Sequence, residues 1–219
     1  MDLKEILQKA HPAKVLAVSK LQPADKIRDL YSKGQRRFGE NYVQEALEKQ
    51  KLLADLPDIE WHLIGHLQKN KARMVVGAFH LIHSVDSLEL AQTLNRQCET
   101  KGLQQKILIQ VNLAQEESKD GFSKEKLLEC WKSLTALVHL NIFGFMTMPP
   151  LTETGAEVRP YFVELRELRD QLKTMTDLQV HPLTELSMGT SHDYPVAVEE
   201  GATIVRLGTI LFGERPAKG

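Results

Sequence analysis

Short apolar runs recur along the chain and alternate with segments that have the spacing of amphipathic helices. Eight of the runs are apolar almost without interruption, which is typical of strands buried on both faces of a parallel sheet. They lie at 15–19, 37–40, 59–65, 79–85, 106–113, 140–148, 185–188 and 203–212. The pattern therefore predicts eight parallel strands that are joined by helical crossovers.

The segments between the strands carry the start and stop signals of helices. Asp86-Ser87 and Ser123 stand where N-caps are expected, and Gly34 follows a helical stretch as a stop signal. Predicted helices span 24–33, 42–53, 67–75, 88–100, 123–138 and 155–175, with a short helical segment between the last two strands. Eight βα units predict a single (β/α)8 TIM barrel, and a doubly wound open sheet is the alternative. No linker or change of composition divides the chain, so we expect one domain over residues 1–219.

The composition is that of an ordinary soluble protein. Hydrophobic residues make up 42% of the 219 residues and charged residues 26%, and the formal net charge is −1. This balance gives no reason to expect nucleic acid or an anionic membrane as a partner. Cys98 and Cys130 lack metal-ligand spacing and are typical of reduced thiols. There is no signal-peptide pattern and no bilayer-spanning run, so we expect a cytoplasmic protein, and we expect it to be a monomer.

Chemically distinctive residues fall at the carboxyl ends of the predicted strands, which form the active face of a barrel. Lys20 ends the first run. Two clusters are rich in Gly, Ser and Thr: the one at 187–191 ends the seventh run, and the one at 206–209 lies along the eighth. Loops after strands seven and eight often hold phosphate in this fold, and backbone amides beside glycine suit that role. The two clusters therefore predict a phosphate site.

A lysine and an arginine indicate which molecule the phosphate belongs to. Lys20 taken alone fits a solvated strand end, whereas a desolvated amine forms a Schiff base with an aldehyde. Arg206 lies inside an apolar run, where a guanidinium needs a partner such as the nitrogen of a pyridine ring. Strands one and eight are neighbours in a closed barrel, so both residues can face one molecule. Together they predict a phosphorylated aldehyde cofactor such as pyridoxal 5'-phosphate.

Several other residues have structural interpretations that weigh against a functional one. His62 lies among apolar residues, as a satisfied core histidine does, and His80 and His83 flank the fourth run as structural residues do. Met146 and Met148 are equally consistent with core filling. The local sequence alone therefore assigns none of these five residues to the site.

Six stretches, taken together and in order, resemble the pyridoxal phosphate homeostasis protein family (YggS/PROSC-like proteins). The resemblance covers almost the whole chain and implies a single barrel similar to the N-terminal domain of alanine racemase. Any one stretch alone would be weak, and the ordered set is highly specific. The stretches are AVSK at 17–20, FGENYVQE at 38–45, WHLIGHLQKNK at 61–71, GFMTM at 144–148, SMGTSHD at 187–193 and VRLGTILFG at 205–213.

The resemblance implies a role for each matching residue. Lys20 resembles the lysine that holds pyridoxal phosphate, and Arg206 resembles the partner of its pyridine nitrogen. Asn41 is similar to a neighbour of the ring oxygen, and Met146 to a pocket-lining residue. The phosphate is implied to lie against Ser191, Gly208 and Thr209, in a loop that Ser187 and Gly189 shape. Two departures, Thr190 where the family often has methionine and the bulky His66, bear on the pocket rim.

Two functions from different classes remain open. The first is a protein that binds pyridoxal phosphate without turnover, takes part in vitamin B6 homeostasis and exchanges the cofactor with apo enzymes that use it. The second is an amino-acid racemase, which needs an acid or base on each face of the substrate. In alanine racemase the second base is a tyrosine from a separate domain, and this chain runs only to Gly219, so we expect no such domain. A regulatory protein-binding role is a third interpretation.

Overall fold

Eight parallel strands close into a barrel in which each strand pairs with the next along the chain and β8 pairs with β1. The computed structural model describes residues 2–116, 119–152 and 154–213. The strands are β1 Lys14–Val18, β2 Arg37–Glu40, β3 Glu60–Leu63, β4 Leu81–Val85, β5 Gln105–Val111, β6 Leu140–Thr147, β7 Glu185–Thr190 and β8 Ile204–Leu207. The predicted (β/α)8 barrel is confirmed, and the open sheet is excluded.

Helices follow the strands and cover the outside of the barrel. They are α1 Leu3–Ala10, α2 Ala24–Ser32, α3 Val43–Leu52, α4 Ala72–Val75, α5 Leu88–Lys101, α6 Lys124–Thr135, α7 Arg159–Lys173, α8 Tyr194–Glu199 and α9 Thr209–Phe212. Short 3-10 turns, Lys69–Lys71 and Gly155–Val158, precede α4 and α7. None of the helices in the described ranges has the length and apolar character that crossing a bilayer requires.

The predicted helix caps form as hydrogen bonds. The Ser87 hydroxyl accepts from the backbone N–H of Leu90 at the start of α5, and Ser123 accepts from Lys126 at the start of α6. Each bond satisfies one of the backbone donors that the first turn of a helix leaves unpaired. The sequence signals therefore located both helix starts correctly.

The sequence predicted a single strand over 203–212, and this prediction is wrong. β8 ends at Leu207, and Thr209–Phe212 forms the short helix α9. The backbone N–H of Phe212 donates to the carbonyl of Gly208, which closes a helical turn immediately after the strand. Continuous apolar character is common to a buried strand and a buried helix, so periodicity did not separate them. The seventh run, in contrast, continues as strand beyond 188, to Thr190.

Alternate residues along each strand face the inside of the barrel, and this alternation creates layers. A middle layer is apolar and consists of Leu16, Leu81, Leu108, Met146 and Ile204. Residues of the opposite strand faces, such as Val15 and Ala17, belong to the larger core beneath the helices. The middle layer fills the barrel, so the cavities lie at its two ends.

Candidate cofactor-binding site

A cavity of about 310 Å³ opens at the carboxyl ends of the strands and brings six of the predicted residues together. These six are Lys20, Asn41, Ser191, Arg206, Gly208 and Thr209. The remaining wall is formed by Val18, Ile64, Met148, Thr190 and His192. Residues separated by almost the whole chain therefore meet in one place because β8 pairs with β1.

Lys20 lies two residues after the end of β1, on a tightly held loop. The next residue, Leu21, has a positive φ of 60°, and its N–H donates to a Glu45 carboxylate oxygen at 2.6 Å. The preceding residue, Ser19, is fully buried, and its hydroxyl donates to Glu40 at 2.6 Å. Positive φ is unfavourable for a leucine, so surrounding contacts must hold this turn. They fix the backbone position from which the lysine side chain enters the cavity.

A buried ion-pair network beneath this loop was not predicted. The Lys49 ammonium donates to Glu40 at 2.7 Å, to Glu45 at 2.6 Å and to the carbonyl of Ser19 at 2.6 Å. Burial raises the pKa of Glu40, and the Lys49 charge opposes that shift. The only sequence signal was the i,i+4 spacing of Glu45 and Lys49 on α3, which is also typical of an exposed surface pair. The network joins α3, β2 and the lysine loop.

Arg206 is buried at the floor of the cavity, with only 4% of its surface exposed. One guanidinium nitrogen donates to the carbonyl and the hydroxyl of Ser187 at 2.7 and 2.8 Å, and the other donates to the carbonyl of Thr147 at 2.9 Å. Burial lowers the pKa of Arg206 to about 10, so the side chain stays charged at neutral pH. The protein thus anchors this cation with neutral oxygen atoms rather than with a carboxylate.

The loops after β7 and β8 are tied to each other at the proposed phosphate end. The backbone N–H of Gly208 donates to the Ser191 hydroxyl at 3.3 Å. Thr190, one of the two departures noted in the sequence, donates to Asp193 through its backbone N–H at 2.5 Å and its hydroxyl at 2.9 Å. Backbone amides, hydroxyl groups and a short helix start therefore converge where the sequence predicted phosphate.

Three predicted residues lie outside the walls of this cavity. Met146 faces the barrel interior in the apolar middle layer, and Met148, two residues later on the same face, reaches the cavity instead. Ser187 is fully buried below the cavity, where it holds Arg206. Gly189 has a φ of 90°, and a Cβ there would lie 2.6 Å from the Ala197 side chain, so it permits α8 to pack on β7. These residues support the site from beneath rather than line it.

Asn41 carries a buried side-chain oxygen, Oδ1, that has no hydrogen-bond partner among the described residues. Its backbone is approached closely by Gly65, where a Cβ would lie 2.2 Å from the Asn41 carbonyl oxygen. Only glycine fits at that distance, so the loop after β3 fixes the position of Asn41. A buried acceptor without a partner is costly unless something completes it. The position of Asn41 therefore suits contact with a bound molecule.

The rim beside Asn41 extends into a second cavity. It shares Asn41, Ile64 and Met148 with the first and continues over His66. The His66 ring nitrogen Nδ1 lies 2.9 Å from Asp120 and 3.3 Å from Asp86. The side chain noted as bulky in the sequence thus contacts acidic groups at the rim, outside the wall of the first cavity.

A chain of buried hydrogen bonds runs from Arg206 down the barrel axis. The Ser187 hydroxyl lies 2.9 Å from Nδ1 of His83, and Nε2 of His83 lies 2.8 Å from Nδ1 of His62. Both rings are buried, and burial lowers the pKa of His62 and holds the pKa of His83 well below its usual value. The sequence predicted structural histidines here, and their link to the arginine of the site appears only in three dimensions.

These histidines predict how stability depends on pH. In the unfolded chain each titrates near pH 6.5, whereas the folded protein keeps both neutral at lower pH. Unfolding then takes up protons, so stability is retained above about pH 6.5 and falls below it, by up to about 1.4 kcal/mol per pH unit for each histidine. Urea midpoints at a series of pH values between about 7.5 and 5.5 measure this slope.

A matched pair of variants shows whether the slope of stability against pH comes from the buried histidines. His83→Gln should reduce it, whereas His11→Gln, at an exposed position, should leave it unchanged. If the wild-type midpoint does not fall between about pH 6.5 and 5.5, the two buried rings are not held neutral.

The barrel with a lysine after β1 and hydroxyl-rich loops after β7 and β8 places the chain in a known class of folds. The family model of the alanine racemase N-terminal domain matches residues 2–216. The solved alanine racemase of Clostridium difficile superposes with a TM-score of 0.72 at 16% identity, covering 99% of this chain and 57% of that one. At that identity the likeness concerns the fold.

More similar relatives identify the family within this class. A pyridoxal phosphate homeostasis protein of Aquifex aeolicus is 47% identical over 203 residues, which are 93% of this chain and 87% of the relative. The protein of that name from Homo sapiens is 39% identical, covering 92% and 76%. PipY of Synechococcus elongatus, solved with pyridoxal phosphate bound, is 44% identical with a TM-score of 0.90, covering 96% and 98%. The chain belongs to the pyridoxal phosphate homeostasis protein family.

Proposed function

We propose that this protein binds pyridoxal 5'-phosphate in the cavity at the carboxyl ends of the strands, with Lys20 as its covalent anchor, and takes part in intracellular vitamin B6 homeostasis. The observation that carries the proposal is the meeting of Lys20, Arg206 and the Ser191–Gly208 loops in one cavity. The names of its relatives and the cofactor-bound structure of PipY agree with it.

Each end of the cavity fits a different part of the cofactor. Lys20 would hold the aldehyde carbon as a Schiff base, because a lysine amine condenses with an aldehyde. The hydroxyl groups of Ser191 and Thr209 offer donors for a phosphate, beside the Gly208 amide that donates to Ser191. The unpartnered oxygen of Asn41 would be free to accept a hydrogen bond from a group on the ring. A lysine, an acceptor and a cradle of donors are the groups that this molecule needs.

Arg206 governs how the bound ring behaves. Its guanidinium is charged, buried and held by Ser187 and Thr147, and its remaining N–H groups are available to the cavity that it lines. A guanidinium can only donate, so a pyridine nitrogen held against it would accept and would stay unprotonated. An unprotonated ring withdraws electrons weakly, which disfavours chemistry at an attached amino acid. This supports a protein that holds the cofactor without turnover.

The lining of the cavity also argues against racemisation. In the described part of the chain, none of the lining residues is a tyrosine. Tyr31 and Tyr161 lie in α2 and α7, Tyr42 precedes α3, and Tyr194 begins α8 and is buried. The wall does include His192, but its ring is exposed, with Nε2 3.1 Å from the Thr152 carbonyl, and it lies beside Ser191 in the loop that would hold the phosphate. With no acid or base opposite Lys20, a substrate could be deprotonated on one face only. We therefore propose a non-catalytic carrier that exchanges the cofactor with apo enzymes in the cytoplasm, where its free Cys98 and Cys130 stay reduced.

Incubation with single-enantiomer alanine separates the carrier from the racemase. We expect no accumulation of the opposite enantiomer beyond that produced by free pyridoxal phosphate, because one base cannot deliver a proton to both faces. Chiral chromatography at equal cofactor concentrations provides the measurement. Turnover that depends on the protein would establish the racemase instead. Mixing the loaded protein with an apo enzyme of the pyridoxal phosphate class then tests the carrier role, since transfer restores that enzyme's activity.

A further inference from the structure

The barrel has a second opening at the amino-terminal ends of its strands, on the side opposite Lys20. There a cavity of about 200 Å³ lies below the apolar middle layer. Its walls carry mainly charged and imidazole groups, from inward-facing residues at the start of each strand. They include Lys14, Arg37, Glu60, His62, Lys106 and Glu185. None of the proposed cofactor contacts lies in this amino-terminal cavity.

We propose that the amino-terminal cavity is a ligand site for a small oxyanion, a carboxylate or a phosphate, which accepts hydrogen bonds from His62 and Lys106. The site is independent of the cofactor, and its existence does not rest on the function proposed above. Three features carry the inference: the direction of the buried hydrogen-bond chain, an imidazole nitrogen without a partner, and a positive charge that the walls leave unmatched.

Arg206 and the Ser187 hydroxyl favour one direction for the chain, because the hydroxyl proton finds a partner only if Ser187 donates to His83. The guanidinium of Arg206 can only donate, so the Ser187 hydroxyl accepts from it and has its own proton to give to Nδ1 of His83. His83 is neutral and carries one proton. Because its Nδ1 accepts a hydrogen bond, that proton lies on Nε2, which donates to Nδ1 of His62. His62 is neutral as well, so its single proton lies on Nε2. Satisfying each bond in turn assigns the tautomers.

The chain thus delivers an N–H donor to the amino-terminal cavity. Nε2 of His62 is buried and has no hydrogen-bond partner among the described residues. The Glu60 carboxylate oxygen lies 4.0 Å away, beyond the distance of a hydrogen bond, although it is close enough for the His62 ring to lower the pKa of that carboxyl. The His62 ring is only 2% exposed and forms part of the cavity wall. A buried donor that faces a cavity is completed by an acceptor within it.

The charges of the walls favour an anionic acceptor. Arg37 pairs with Glu60 at 2.8 Å, and Lys14 pairs with Glu185 at 2.7 Å. Lys106 lies 5.2 Å above the Phe143 ring, and it forms no ion pair with a carboxylate among the described residues. The five charged side chains therefore sum to one excess positive charge. Burial lowers the pKa of His80, which stacks on His62, so that ring adds no charge at neutral pH.

Imidazole NMR tests the proposal on the purified full-length chain. Long-range proton–nitrogen spectra of protein labelled at histidine report which nitrogen of His62 carries the proton. Sodium acetate and inorganic phosphate are titrated separately, with sodium chloride holding the ionic strength constant. We expect a proton on Nε2 of His62 and a saturable shift of the His62 and His80 signals. Saturation by acetate alone indicates a carboxylate ligand, and saturation by phosphate alone indicates a phosphate ligand.

Two matched lysine variants locate the site. Lys106→Gln should weaken the anion by about tenfold, because it removes a charged donor. Lys132→Gln, at an exposed position on α6, should leave the affinity unchanged. The proposal fails if neither anion gives a saturable shift, if Lys106→Gln binds as wild type does, or if Nε2 of His62 is unprotonated. Absorbance of the Lys20–cofactor adduct, read in parallel, reports on the cofactor function separately, since Lys106 lies outside the cofactor cavity.

Discussion

Lys20→Ala should abolish the imine absorbance that pyridoxal phosphate gives with the wild-type protein. The variant lacks the lysine amine that condenses with the aldehyde, and none of the other described residues that line the cavity is a lysine, so the loss should be complete rather than graded. Borohydride fixes such an adduct, and mass spectrometry of peptides should find one pyridoxyl group, on Lys20, in the wild type. The variant should carry none.

The fold of this variant is not expected to suffer. Lys20 is half-buried just after β1, and Ser19, Leu21 and Lys49 make hydrogen bonds that shape its loop and that the substitution leaves in place. Weak binding without absorbance should persist through Arg206 and the phosphate loops. Lys51→Ala, at an exposed position on α3, is the matched control and should retain full absorbance. Unchanged absorbance in Lys20→Ala would assign the adduct to another lysine.

The architecture was predictable because an apolar run in the local sequence marks each strand. Eight apolar runs in order, separated by capped helices, define the barrel, and closure then places the end of β1 beside β8. That step alone puts Lys20 near Arg206, although the two residues are 186 positions apart in the sequence. What the run pattern did not reveal was where β8 stops, since α9 is as apolar as the strand before it.

The side chains beneath the site were harder to predict because their roles depend on which way each strand residue faces. β6 shows why: its pairing with β5 shifts at Gly144, whose φ is 151° and where a Cβ would lie 1.8 Å from the Glu185 carbonyl oxygen. The irregularity brings both Phe143 and Met146 into contact with the interior layer. Met146 consequently fills the barrel and Met148 reaches the cavity, an assignment that simple alternation from the strand start would miss.

Buried polar networks escaped prediction for a different reason. The partners of Lys49, and those of His83, are set by residues on other strands and helices, and no local pattern marks them. A lysine in the last turn of a helix is usually solvated, and a histidine in an apolar run usually satisfies itself locally. Here both take part in holding residues of the site, Lys49 through the loop of Lys20 and His83 through Ser187.

Lys49→Met should destabilise the protein by about 3–5 kcal/mol, because it leaves Glu40 as an unpaired buried charge. Glu40 is fully buried, and the Lys49 side chain is 7% exposed, so water cannot replace the lost partner without opening the structure. Urea unfolding measures the change, and Lys51→Met, exposed on the same helix, should shift the midpoint little. The double variant Lys49→Met/Glu40→Gln should recover much of the loss, because it removes the charge as well as its partner.

Since Lys49 also holds the Ser19 carbonyl, the single variant should bind pyridoxal phosphate more weakly even where it is folded. Equal stability of Lys49→Met and Lys51→Met would show that the ammonium contributes nothing to the loop that carries Lys20.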